Sequence, residues 1–191
     1  MTTLPPDLEA LFDQVDAADR AAATIAASVT DEQFHWQPCS GRGWSIAQCL
    51  EHLAIMDKHY TAAVRGGVDE ARRRNLRRTG PGRPTFFGRR FIESQEPPIK
   101  IKMKAPKVGR SPQDKPREEI LRAYHEAHEY IRQLILDAAD VDLNRATFQN
   151  PFIRVIRMRV ATGLAVLTAH DRRHLWQAEQ VKLAPGYPVC R

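Results

Sequence analysis

The chain has 191 residues and a formal net charge of +6, with 42% hydrophobic and 27% charged residues, a composition that predicts a globular protein with a buried core. It has no apolar run near the roughly 18 residues of a membrane span, and its first residues lack the basic start and apolar core of a secretory signal. Three cysteines, Cys39, Cys49 and Cys190, are too few for a disulfide framework and favour a reducing, cytoplasmic location.

The first half of the sequence predicts two long helices. The first covers about residues 7–28, where apolar residues recur at helical spacing. After a polar break, the second begins at Ser45, which forms a capping-box signature with Gln48 three residues later. Gly66 and Gly67 predict the end of this second helix.

A basic insert follows at about residues 71–110. It contains 13 lysines and arginines against two acidic residues, whereas the remainder has 16 basic and 21 acidic residues. A connection this long is not an idle loop, so we predict a partly ordered arm or a lid. Three roles stay open: docking on the acidic remainder, capping a pocket for an anionic substrate, or binding nucleic acid. No nucleic-acid motif of defined geometry accompanies the charge, so nucleic acid is not the expected partner.

The second half predicts two more long helices. The third begins after Pro116, and the fourth runs from about Arg157 to Lys182, although its start also suits a short extended segment. We therefore predict an all-α protein, a four-helix bundle with a long crossover connection between helices 2 and 3. Residues 1–191 are expected to form a single domain that carries the basic insert.

Three histidines suggest a metal site. His170 and His174 are one helical turn apart and leave the same face of the fourth helix, and the second helix supplies His52. In a bundle these side chains can meet in the interior. Three neutral nitrogen ligands suit Zn, Ni, Co or Fe(II) and leave a position open. The spacing alone also allows a second interpretation, in which the histidines are ordinary polar residues near the surface.

Other polar residues near these helices are given structural roles. Cys49 is either a fourth ligand or a small buried hydrophobe, and we prefer the latter. Asp171 projects about 100° away from His170 around the helix and is expected to form an ion pair or to support a metal-bound residue rather than to bind the metal itself. His125 and His128 are expected on the solvated surface of the third helix. Two tryptophans are expected to be packing anchors rather than substrate contacts: Trp44 and Trp176.

Two segments resemble the DinB-like four-helix-bundle superfamily. The segment GWSIAQCLEHL contains a Trp-Ser and His-Leu element typical of that family, and AHDRRHLWQAEQV is similar to its second histidine element. The match implies that His52, His170 and His174 bind a divalent metal. The resemblance covers most of the chain but fails over residues 71–101, which are far more basic than in the family pattern.

The resemblance also implies a range of activities. Characterised members are metal-dependent transferases or isomerases that use a low-molecular-weight thiol. A coordinating thiol loses its proton, and a metal-bound water becomes a nucleophile near neutral pH, so the expected enzyme is either a thiol S-transferase or a hydrolase that acts on a small molecule. Zn or Ni is the expected metal, with a thiol cosubstrate and a homodimer. The alternatives are a non-catalytic metal-binding or dimerisation module, and a nucleic-acid-binding protein that uses the insert.

Overall fold

The computed structural model describes residues 4–99, 109, 115–153 and 155–188. These residues form α1 (Pro6–Ala27), α2 (Asp31–His35), α3 (Pro38–Gly41), α4 (Ile46–Arg73), α5 (Phe86–Gln95), α6 (Arg117–Asp137), β1 (Thr147–Gln149), β2 (Arg157–Arg159) and α7 (Val160–Lys182). The described chain is mostly helical, as predicted, and its long helices α1, α4, α6 and α7 occupy the four predicted regions. None of the described helices has the length and apolar character needed to cross a membrane.

The four long helices pack against one another through their apolar faces. Helix α4 contacts α6 and α7, and α1 contacts the same two helices. Two clusters of buried apolar side chains fill the space between them. Phe34 and Tyr124 are the largest side chains among those that are almost completely buried. This packing fixes the facing surfaces of the helices, and therefore the positions of the polar side chains among them.

The start of α4 is set by the predicted capping box. Gln48 donates its backbone N–H to Ser45 Oγ at 3.1 Å, and Gln48 Oε1 accepts the backbone N–H of Ser45 at 3.0 Å. Both bonds satisfy amides that have no partner within the helix. The cap therefore fixes where α4 begins, two turns before His52.

The predicted end of the second helix at Gly66 and Gly67 is wrong, because α4 continues to Arg73. Glycine in a helix interior costs only about 1 kcal/mol, which packing on the neighbouring sheet can offset. A Cβ atom on Gly67 would lie 2.9 Å from the backbone oxygen of Thr147. Gly67 is therefore a point of close approach between α4 and β1.

The fourth long helix is preceded by a small sheet. Strand β2 pairs antiparallel with β1, with Thr147 opposite Arg159. Helix α7 begins at Val160, directly after β2. The predicted short extended segment before the fourth long helix is therefore confirmed. The loop between the strands runs back towards α4, where it becomes one wall of the site described below.

Arginines of the basic insert pair with acidic residues of the helical body. Arg77 lies 3.3 Å from Asp140, and Arg78 forms an ion pair with Asp7. These contacts fit the alternative in which the insert docks on the acidic remainder of the chain. The part of the insert at residues 100–108 and 110 lies outside the described residues.

Replacing the two neighbouring glycines of α4 should have opposite effects. Gly67→Ala is expected to destabilise the protein by about 1–3 kcal/mol, because its methyl group meets backbone that cannot rotate away. Gly66→Ala is the matched control: nothing lies within 4 Å of its Cβ position, so the gain in helix propensity should stabilise by about 0.5–1 kcal/mol. Urea denaturation measures both, and equal effects would contradict the close approach.

Candidate metal centre

The structure brings together the three histidines that the sequence singles out. His52 comes from α4, and His170 and His174 come from successive turns of α7. The ring of His52 lies 4.5 Å from that of His174 and 5.3 Å from that of His170, centre to centre, and the two α7 rings are 4.6 Å apart. One ligand nitrogen from each ring lies within 4.8 Å of the other two.

A backbone carbonyl sets the orientation of His52. Its Nδ1 lies 2.7 Å from the oxygen of Gly109. A carbonyl oxygen only accepts, so Nδ1 carries the proton and Nε2 keeps its lone pair for a ligand role. A Cβ on Gly109 would lie 2.9 Å from the His52 ring and 2.6 Å from the sulfur of Met56. Only glycine fits against these side chains without a shift.

All three imidazoles are held in the neutral form. Burial lowers the pKa of His52 and of His174. Burial, followed by repulsion from His52 in its protonated form and from Arg173, lowers the pKa of His170 to about 3. Neutral histidines at physiological pH offer lone pairs rather than protons, which is the condition for metal binding.

The donor set fits a divalent metal of intermediate softness. Three neutral imidazole nitrogens suit Zn, Ni, Co or Fe(II). Cys49 is not part of the converging group: it is fully buried in an apolar cluster with Leu50 and Leu53, and burial raises the pKa of its thiol. A closed four-ligand centre that includes Cys49 is therefore not formed, and the cup stays open on one side.

The open side faces a cavity of about 1010 Å³. The three histidines and Arg173 are on its lining, and most of the remaining lining is apolar. The walls come from α4, α5, α7 and the loop between the two strands. Representative apolar residues of these walls are Met56, Phe91, Phe152, Ile153 and Val166.

The two tryptophans expected as packing anchors lie on this cavity. Both Trp44 and Trp176 are among its lining residues. The Trp44 ring stacks on His174 at 5.5 Å with an interplanar angle of 16°, and meets His52 at 4.8 Å. The position of Trp44 directly before the α4 cap was the available signal, since it places the indole near His52.

A second polar cluster lies next to the three histidines. It contains His128, so the prediction that His128 lies on the solvated surface of the third long helix is wrong. His128 is fully buried, whereas His125 is exposed as predicted. His128 Nδ1 lies 2.8 Å from Asp19 Oδ1, and Nε2 lies 3.5 Å from Asp171 Oδ1 and 3.8 Å from Asp57 Oδ2. The expectation that Asp171 joins an ion pair agrees with this geometry.

The carboxylates of this cluster control its protonation when no metal is bound. Burial alone would lower the pKa of His128, but the charges of Asp171, Asp19 and Asp57 outweigh it and raise that pKa to about 10. Burial and the charge of Asp171 raise the pKa of Asp57 well above its ordinary value. The metal-free cluster therefore takes up protons to reduce its negative charge.

Comparison with protein-family models gives a match to the DinB superfamily over residues 14–178. Neither the search of curated proteins nor the search of solved structures gives a match. The matched range begins within α1 and ends within α7, so it contains all three histidines, the basic insert and the second polar cluster.

Replacing Gly109 should weaken metal binding without removing any ligand. In Gly109→Ala the added methyl group displaces the carbonyl that holds His52 Nδ1. Loss of such an orienting hydrogen bond typically costs about 10–100-fold in metal affinity, measured by competition with a chromogenic chelator. Gly80→Ala is the control, because its Cβ position is open and metal affinity should not change. An unchanged affinity in Gly109→Ala would show that the carbonyl does not position His52.

Because of His128, the free energy of unfolding of the metal-free protein should fall as the pH rises from about 6.5 towards 10. The folded state holds its proton up to about pH 10, while the unfolded chain releases it near pH 6.5. The stabilisation is therefore complete below about pH 6.5 and falls by at most about 1.4 kcal/mol per pH unit as the pH rises towards 10. In urea denaturation, His128→Gln should flatten this fall and His125→Gln should not. Equal slopes in the two variants would contradict the assignment.

Proposed function

The chain belongs to the DinB superfamily, and from that premise we propose that it is a divalent-metal-dependent enzyme that transfers a low-molecular-weight thiol to an apolar small molecule. One observation carries the proposal: three neutral imidazoles converge on the lining of a large, mostly apolar cavity. A site with open metal positions and apolar walls suits a reaction rather than a purely structural metal, for which four protein ligands are usual.

The ligands proposed for this metal are His52, His170 and His174, and Zn or Ni is the proposed ion. When bound there, a divalent ion supplies Lewis acidity, which lowers the pKa of a thiol or water and activates it as a nucleophile. The residues of the chain contribute the neutral donors, and the Gly109 carbonyl holds His52 in the tautomer that leaves Nε2 available.

The size of the cavity favours thiol transfer over hydrolysis. Sites for a single small molecule usually enclose about 300–1,000 Å³, and this cavity is at the upper limit at about 1010 Å³. A nucleophilic thiol and an electrophile therefore fit together, whereas water as the nucleophile needs no such room.

Arg173 is proposed to favour anionic reactants beside the metal. Its side chain lines the cavity and is only 7% exposed, and Nη1 donates to the backbone oxygen of Ser94 at 3.1 Å. Its positive charge lowers the pKa of all three histidines, so it lies near enough to act on the centre. The same charge stabilises a thiolate relative to a thiol. No arginine from residues 72–90 is among the described residues of the cavity lining, so charge steering by Arg173 replaces the expected role of the insert.

Three further properties belong to this proposal. We propose that α1, α4, α6 and α7 form a four-helix bundle in which the basic insert is the long crossover connection, supported by the contacts of α4 and α1 with both α6 and α7. A single domain over residues 1–191 and a homodimer are proposed with it.

The activity is tested on protein purified without an affinity tag and loaded with Zn or Ni. A panel of cellular thiols is combined with an apolar chromogenic electrophile, and thiol consumption is followed. We expect metal-dependent turnover that falls to the uncatalysed rate in His170→Ala. His125→Ala, an exposed histidine of α6, is the control and should keep full activity.

Each other result has a distinct meaning. Metal-dependent hydrolysis of an ester without any thiol would replace the transferase by a hydrolase. One bound metal per chain with no turnover of either kind would leave a non-catalytic metal-binding module. Turnover that survives in His170→Ala would overturn the assignment of the centre.

A further inference from the structure

The second polar cluster draws one residue from each of the four long helices. Asp57 lies on α4, His128 on α6, Asp171 on α7 and Asp19 on α1. Asp57, His128 and Asp171 are at most 1% exposed. Ionisable groups this deeply buried need a partner that compensates their lost hydration.

The separations within the cluster are those of ligands around one ion. His128 Nε2 is 3.5 Å from Asp171 Oδ1 and 3.8 Å from Asp57 Oδ2, and one atom of each residue lies within 4.8 Å of the others. Ligands bonded at about 2.1 Å to a tetrahedral or octahedral ion are roughly 3.0–3.4 Å apart, so the two distances from His128 Nε2 would need to shorten by only a few tenths of an ångström. By distance and angle, both carboxylate oxygens of Asp171, Asp57 Oδ2 and both ring nitrogens of His128 have no hydrogen bond among the described residues.

Asp19 prepares His128 to act as a ligand. Asp19 Oδ1 lies 2.8 Å from Nδ1, and a carboxylate at this distance favours the tautomer with the proton on Nδ1, which leaves the Nε2 lone pair facing two carboxylates. Carboxylate contacts of this kind orient metal-bound histidines. Asp19 also pairs with Arg132, which it shares with Asp16 and Glu129.

Charge balance at the cluster can be met by a divalent cation. Leaving aside Asp19, which pairs with Arg132, two carboxylates and a neutral imidazole carry a net charge of −2. One proton on His128 leaves −1 in a fully buried site, whereas a second proton on Asp57, or one divalent cation in place of both protons, gives zero. The low dielectric of the interior therefore requires either two protons or one divalent cation.

We propose that Asp57, His128 Nε2 and Asp171 form a second divalent metal site, separate from the three-histidine centre. One imidazole and two carboxylates suit Mn, Fe(II), Co or Zn. The two sites share no ligand, although Asp57 Oδ1 lies 4.0 Å from His170 Nδ1. Asp57 also lines the large cavity, which provides the route by which an ion enters. The second site does not depend on the proposed enzymatic activity.

Metal stoichiometry of the full chain tests the second site. The protein is stripped with a chelator, dialysed to equilibrium against Co²⁺ and analysed for cobalt and protein. We expect two ions per chain in the wild type, one in His52→Ala/His174→Ala, which keeps only the second site, and one in Asp171→Asn, which keeps only the three histidines. His125→Gln, on the same helix as His128 but exposed, should bind two.

The results separate the second site from the three-histidine centre. One ion in the wild type and none in His52→Ala/His174→Ala would overturn the second site and show that the cluster holds protons only. One ion in both proteins would support the second site and contradict the histidine centre instead. If Asp171→Asn fails to fold by circular dichroism, the wild type and the double variant still decide between these outcomes.

Discussion

Burial of ionisable side chains between α1, α4, α6 and α7 is the constraint on which the rest of the molecule depends. An ionised group without partners costs several kcal/mol when it is buried between packed helices, so each such residue must stay neutral or face an opposite charge. His52, His170 and His174 stay neutral, whereas His128 faces carboxylates from the three other long helices. These requirements restrict how the four apolar faces can pack, because rotation of one helix would leave a buried charge without its partner.

The long helices α4 and α7 supply the three histidines, and the short helix α5 and the loop between the strands supply further parts of the cavity wall. Helix α5, inside the basic insert, is joined to α7 by the ion pair of Arg172 with Glu96 at 2.9 Å and by the bond from Arg173 to Ser94. The loop between the strands is closed by the Asn150 side chain, which accepts from two backbone amides. Changes in these two segments would alter the shape of the cavity while leaving the histidine positions intact.

Local patterns in the sequence predict the long helices and the three histidines, but not the contacts between distant segments. The Ser45 cap and the spacing of His170 and His174 are set by nearest neighbours on one helix. By contrast, Gly67 is explained only by the approach of β1 from far along the chain. His128 was misplaced because its acidic neighbours suggested solvent, although its spacing from Tyr124 and Ile131 already put it on the buried face of α6. The walls from α5 and the strand loop leave no local signal.

The geometry of α7 explains how one helix serves two sites with opposite electrostatic requirements. His170 and His174 are a turn apart and face the cavity, while Asp171 projects about 100° away towards α6. The histidine centre needs neutral donors, so a positive group such as Arg173 beside it opposes protonation. The carboxylate cluster lies 4.0 Å from His170 through Asp57. An ion in the proposed second site would therefore lie close to one ligand of the proposed histidine centre, and by linkage each site would act on the affinity of the other with equal strength.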